Sequence, residues 1–97
     1  MDIIQKLKQV IEEINGYDLN DKRKTNEIVI GRMVFYILIK KYKLAKNAQR
    51  IFVRYTGRDR TVTYNIEKVH SYGSWTDYYY MLNKCDLAFK KAYLTKC

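Results

Sequence analysis

The sequence predicts an all-α fold of about five helices, and three observations predict it. The chain has no proline, so nothing breaks a helix from within. Its four glycines carry the punctuation between stretches. In most stretches the apolar residues recur at i, i+3, i+4 and i+7, the period of a helix with one buried face. Ninety-seven residues make one domain, residues 1–97, long enough for a core but too short for a catalytic cleft plus a second domain. There is no internal repeat and no low-complexity segment, so no linker is expected.

The elements follow in order. Asp2 caps a first helix whose Ile3, Ile4, Leu7, Val10, Ile11 and Ile14 form one wide stripe, and Asn15-Gly16 ends it. Asn20 to Lys24 is a polar, basic loop. The second helix runs from Thr25 or Asn26 to Tyr42. Between Ile28 and Ile39 it is apolar on most faces except at Gly31 and Arg32, which makes it the central, most buried helix. Periodicity alone also admits a strand over Val34 to Ile39, which the length and the lack of turn residues disfavour. Lys40 to Lys46 is a basic connector. A third helix starts at an Asn47 cap and buries Ala48, Ile51, Phe52 and Tyr55. Thr56-Gly57 then breaks the pattern, and Gly57 supplies the positive φ of a tight turn. Asp59 caps a fourth helix that buries Val62, Ile66 and Val69 and leaves Arg58, Arg60, Thr61 and Tyr64 projecting from its first turn and approach. Residues 47–69 therefore read as a helix-turn-helix. His70 to Ser74 closes the fourth helix. An extra C-terminal helix over 74–95 carries Trp75, Tyr79, Leu82, Cys85, Leu87, Ala88, Phe89, Ala92 and Tyr93.

The net charge of +9 is unevenly spread. Residues 21–60 hold 12 basic side chains against 3 acidic ones, while the flanks carry 7 of each and cancel. Excess positive charge coinciding with a turn motif is the sequence footprint of a polyanion-binding surface, against the plainer alternative of a solvated cationic face. Cys85 and Cys97 lack partners at metal-ligand spacing. They read as a small buried hydrophobe and a frayed terminal thiol in a reducing compartment. The start MDIIQKLKQVIEEI is acidic within and has no long apolar run. Neither a signal peptide nor a membrane span is expected, and the chain should be cytoplasmic.

No Gly-rich phosphate loop, apolar carboxylate pair or metal cluster is present, and the single histidine, His70, has no nearby nucleophile. The expectation is a protein that is not an enzyme, with no metal, no cofactor and no small-molecule substrate. Tyr78-Tyr79-Tyr80 with Trp75 suggests a stacking platform for single strands, but at helical spacing those rings cannot share a face and read as core plus flanking surface. At the start of the fourth helix, Arg58 and Arg60 bracket Asp59 where unpaired backbone N–H groups already favour an anion. Asp59 can cap the helix, accept from a cytosine amino group, or do both, and Thr61 offers a methyl for thymine and a hydroxyl for a base edge or phosphate. Lys22-Arg23-Lys24 reads either as a solvated loop or as a minor-groove arm.

The run DLNDKRKTNEIVIGRMVFYILIKK, followed by the turn and GRDRTV, resembles the C-terminal DNA-binding domain of the bacterial replication initiator DnaA. The similarity covers roughly residues 3 to 70. It implies a Trp-repressor-like helical fold with the signature helix in the major groove and a minor-groove contact from Arg23 and Lys24. It also implies backbone contacts from Arg32, Lys40, Asn47 and Ala48, with Tyr64 in the place of a family histidine near phosphate. Where the family has aspartate-histidine-threonine-threonine-valine, this chain has Asp59-Arg60-Thr61-Val62, one residue shorter and without histidine. The family's ATPase module has no counterpart in these residues, so neither origin melting nor ATP hydrolysis follows from the resemblance.

The leading expectation is a double-stranded DNA-binding protein that acts in replication or transcription control by occupying short sites. Lys24, Arg32, Lys40, Arg50 and Arg54 would hold the backbone, and Arg58, Asp59, Arg60 and Thr61 would meet the bases. The alternative is an interaction module that uses the same fold to dock on the replication initiator or another acidic partner through its aromatic last helix.

Overall fold

The second helix determines how everything else is arranged. In the computed structural model, which describes residues 3–20 and 25–94, the helices are α1 (Ile3–Asn15), α2 (Asn26–Lys41), α3 (Ala48–Thr56), α4 (Thr61–Tyr72) and α5 (Thr76–Phe89). The last continues into a wider π-helical turn, Lys90–Leu94. The described residues form an all-α fold without strands, and the stretch Val34 to Ile39 is helical.

In α2, Ile28 and every residue from Ile30 to Ile39 are buried, so this helix has no solvent face and must be covered on all sides. It is covered by α1, α3, α4 and α5, each of which packs on it, while α1 also reaches α5. Its start is capped by Thr25, whose hydroxyl accepts from the Ile28 N–H at 3.4 Å. Each covering helix contributes the stripe its spacing dictates: Ile4, Leu7 and Ile11 from α1, Phe52 from α3, Ile66 from α4, and Tyr78, Cys85 and Phe89 from α5. Ile3, Val10, Ile14, Ile51, Tyr55, Val62 and Val69 flank them half-buried. Two T-shaped ring pairs seat α3 on α2, Tyr36 with Phe52 at 5.7 Å and Phe35 with Tyr55 at 6.0 Å.

The turn after α1 is fastened from both sides. Leu19 is fully buried, its N–H donates to Glu12 Oε2 at 2.8 Å, and its carbonyl accepts from Arg32 Nε at 2.8 Å. Asn15 Nδ2 donates to the Glu27 carbonyl at 2.6 Å. This corner explains Gly31, since a Cβ there would lie 2.5 Å from Asn15 Nδ2 and 2.8 Å from Leu19 Cδ2.

Arg32 is a correction to the sequence reading. It is 4% exposed and bonded to the Leu19 carbonyl, so it belongs to the interior and not to a phosphate-contacting surface. A buried carbonyl needs a donor, and the guanidinium supplies one. The Asp2 cap, the basic arm Lys22-Arg23-Lys24 and Cys97 lie outside the described residues.

Candidate nucleic-acid interface

The turn between α3 and α4 is built by side chains of the turn itself. Asn47, extended at φ −123° and ψ 92°, caps α3 by accepting from the Arg50 N–H at 3.1 Å. Gly57 ends α3 at φ 70°, its N–H donating to the Val53 carbonyl at 2.9 Å. Buried Thr56 donates to the Phe52 carbonyl at 2.7 Å while accepting from the Arg58 N–H at 3.3 Å, so one hydroxyl ties the helix end to the turn. Asp59 Oδ1 accepts from the Thr61 N–H at 3.1 Å and its carbonyl from the Val62 N–H, also at 3.1 Å. The carboxylate thus orders the turn before α4 and is not the helix cap the sequence suggests, because the N-cap position is Arg60, in helical conformation and without a side-chain cap bond.

The two sides of α4 differ sharply. Thr63 and Ile66 face inward, and Thr63 Oγ1 donates to the Arg60 carbonyl at 2.6 Å. Outward stand Arg60, Thr61, Tyr64, Asn65 and Lys68, all exposed. The one carboxylate within the helix, Glu67, is half-buried and held on α2, where it accepts from Tyr36 Oη at 3.1 Å and pairs with Lys40. The outward surface from Arg60 to Lys68 therefore carries positive charge and no acid of its own.

The expected contact residues fall into distinct places. Lys40, Asn47 and Ala48 come together with Lys43, Lys46 and Gln49 around a cleft of about 350 Å³ at the start of α3. The first N–H groups of α3 have no partner inside the helix, so this is an electropositive cleft. Lys40 is already engaged by Glu67, which keeps the Lys40 ammonium above and the Glu67 carboxyl below their ordinary values. Arg50 is exposed on the outer side of α3. Arg54, also exposed, lies against α1 in a different cleft with Lys8, Glu12 and Asn20. Arg58 is half-buried and shares a third cavity with Arg32 and Asn65.

Sequence reasoning passed over Lys43, Lys46, Asn65 and Lys68 as contacts. Asn65 and Lys68 stand four and seven residues after Thr61, so helical spacing alone places them on its face.

His70 Nδ1 lies 2.8 Å from Tyr78 Oη, and Tyr79 Oη donates to the His70 carbonyl, which locks α4 to α5. Of the three consecutive tyrosines, Tyr78 is buried, Tyr79 half-buried and Tyr80 exposed, so they share no stacking face. Burial pushes the Cys85 thiol up to about 12, far from a reactive thiolate. Among the described residues no three His, Cys, Asp or Glu side chains are placed to hold a metal ion, and no helix is long and apolar enough to cross a membrane. No family model, curated protein or solved structure matches this chain.

Proposed function

We propose that the chain is a duplex-DNA-binding protein of the helix-turn-helix kind, akin to the DNA-binding domain of the DnaA initiator, acting in replication or transcription by occupying a short site. The carrying observation is the outward face of α4, where Arg60, Thr61, Tyr64, Asn65 and Lys68 are exposed while Glu67 is paired with Lys40 of α2. In this reading the first turn of α4 enters the major groove. Arg60 forks onto a guanine edge, and Thr61 and Asn65 meet neighbouring bases. Lys43, Lys46 and the amino end of α3 take a phosphate, as helix starts flanked by lysines do. Lys68 and Tyr64 contact the backbone further along. Arg32 is left out of the contact set because it is spent on Leu19.

The test is a selection of bound sequences from a random duplex library, followed by anisotropy titrations on the selected site and on random duplex. Arg60→Ala should lose about 1–3 kcal/mol on the selected site and much less on random duplex. Equal losses on both would refute base reading by Arg60.

A second reading, docking on the replication initiator or another acidic partner through α5, is favoured by two apolar residues left outside. Tyr80 and Leu87 are 66% and 69% exposed, with Lys84 between them. Under that reading the library selection yields no enriched sequence, and a pull-down impaired by Leu87→Asp replaces it.

A further inference from the structure

The outer side of α4 carries a stripe that duplex recognition by the first turn leaves partly unused. Arg60, Tyr64, Lys68 and Tyr72 stand four residues apart and are all exposed, so cation and aromatic ring alternate from the start of the helix to its end. Tyr64 and Tyr72 are 56% and 64% exposed, on the side opposite buried Thr63 and Ile66. The carboxylate of this helix, Glu67, is taken up by Lys40, so the stripe keeps its positive charge. A helix that enters the major groove by its first turn does not bring its last turn with it. With 12 residues α4 is about 18 Å long, whereas the groove is about 8.5 Å deep. Tyr72 then stands outside the groove. Paired bases present only their edges, so an exposed ring meets a base face only where the strand is unpaired.

We propose that this stripe binds a short unpaired DNA strand adjoining the duplex site, with bases stacked on Tyr64 and Tyr72 and a phosphate between them held by Lys68. The two rings are two turns apart, about 12 Å along the axis, which is the span of three to four nucleotides at the 3.4 Å repeat of a stacked strand. An unpaired strand suits the stripe better than an acidic protein segment. Carboxylates would answer Arg60 and Lys68 but not the two rings, whereas every nucleotide brings a phosphate and a flat π-face together. The inference rests on the duplex reading and extends it: on a fully paired site Tyr64 lies along the backbone, and beside an unpaired flank it takes a base face.

The experiment measures anisotropy of the full chain on the selected duplex, blunt and with tails of two, four and six unpaired deoxynucleotides on either strand at either end. A four-nucleotide tail on one of these strands should tighten binding about tenfold over the blunt site, the contribution of one or two stacked bases, with little further gain at six. A tail of abasic sugar-phosphate keeps the charge without the ring faces and should lose most of that gain. Tyr72→Ala should abolish the gain and leave blunt affinity unchanged, while Tyr72→Phe should keep it, with helical circular dichroism as the check on folding. Tails that add nothing, abasic tails that add as much as natural ones, or a gain that survives Tyr72→Ala would each overturn the proposal with the duplex reading intact. Failure of the duplex reading is distinct: no sequence is enriched and no duplex is preferred, and the proposal falls with it.

Discussion

Arg32 and Arg60 carry the same charge in the same basic segment, yet their roles are opposite. Arg60 is exposed at the start of α4, while Arg32 is 4% exposed and donates to the carbonyl of the fully buried Leu19. Removing a charged donor of this kind costs about 1.5–3 kcal/mol, and the orphaned Leu19 carbonyl is part of that cost. Arg32→Ala should therefore lower the free energy of unfolding by about 2–3 kcal/mol in a urea titration, while the folded fraction keeps its affinity for duplex. A loss of affinity without a loss of stability would return Arg32 to the DNA surface. The difference between the two arginines was partly legible in the sequence. Arg32 stands in the apolar run from Ile28 to Ile39, where any face of the helix is buried, and that alone argues against exposure. What the sequence lacked was the acceptor, because Leu19 is thirteen positions away and meets Arg32 only through the turn after α1.

At the scale of elements, two glycines do different work. Gly57 needs a positive φ of 70°, and an alanine forced there costs roughly 1–2 kcal/mol. Gly31 has an ordinary helical backbone but no room, since its missing Cβ is the space that Asn15 and Leu19 occupy. Gly31→Ala should destabilise by about 1–3 kcal/mol, as overpacking does, and adding Asn15→Ala should recover part of that loss because the nearest clash is with the Asn15 amide. Gly57→Ala should gain nothing from Asn15→Ala, so urea midpoints of the single and double variants separate the two mechanisms; equal recovery in both would contradict the steric account. Element ends were the readable part of this fold. Thr25 and Asn47 cap and Gly57 terminates where their chemistry says, because a cap is a contact between residues three positions apart. Which cations end up together was not readable. Arg54 faces α1, Arg58 faces α2, and Lys40 shares a cleft with Asn47, all consequences of how separate helices dock on α2.

For the molecule as a whole, α2 is bound to α4 by the ion pair of Lys40 with Glu67 and to α5 by that of Lys41 with Asp86. The Lys40 ammonium beside Glu67 holds that carboxyl below its ordinary value of 4.5. Burial pushes Asp86 upward, but its bonds from Lys41 and Tyr42 outweigh that and leave it lowered. A carboxylate lowered in the folded state stabilises above its unfolded value, and that contribution is lost as pH falls through the folded value. Stability should therefore hold near neutrality and decline below about pH 4.5 as both pairs protonate, and Glu67→Gln should flatten part of that acid decline in thermal melts taken from pH 7 to pH 3. The same substitution tests function. At neutral pH it frees Lys40, beside the cleft at the start of α3, from the acid that now neutralises it. If that cleft meets a phosphate, one more cation becomes available, and the slope of log K against log salt should steepen by up to about 0.9 for duplex binding. Affinity at low salt should rise although the fold is weakened, a combination that loss of structure does not produce. An unchanged slope would mean that the Lys40 side of the molecule stays clear of the duplex and that α4 must meet DNA without the amino end of α3.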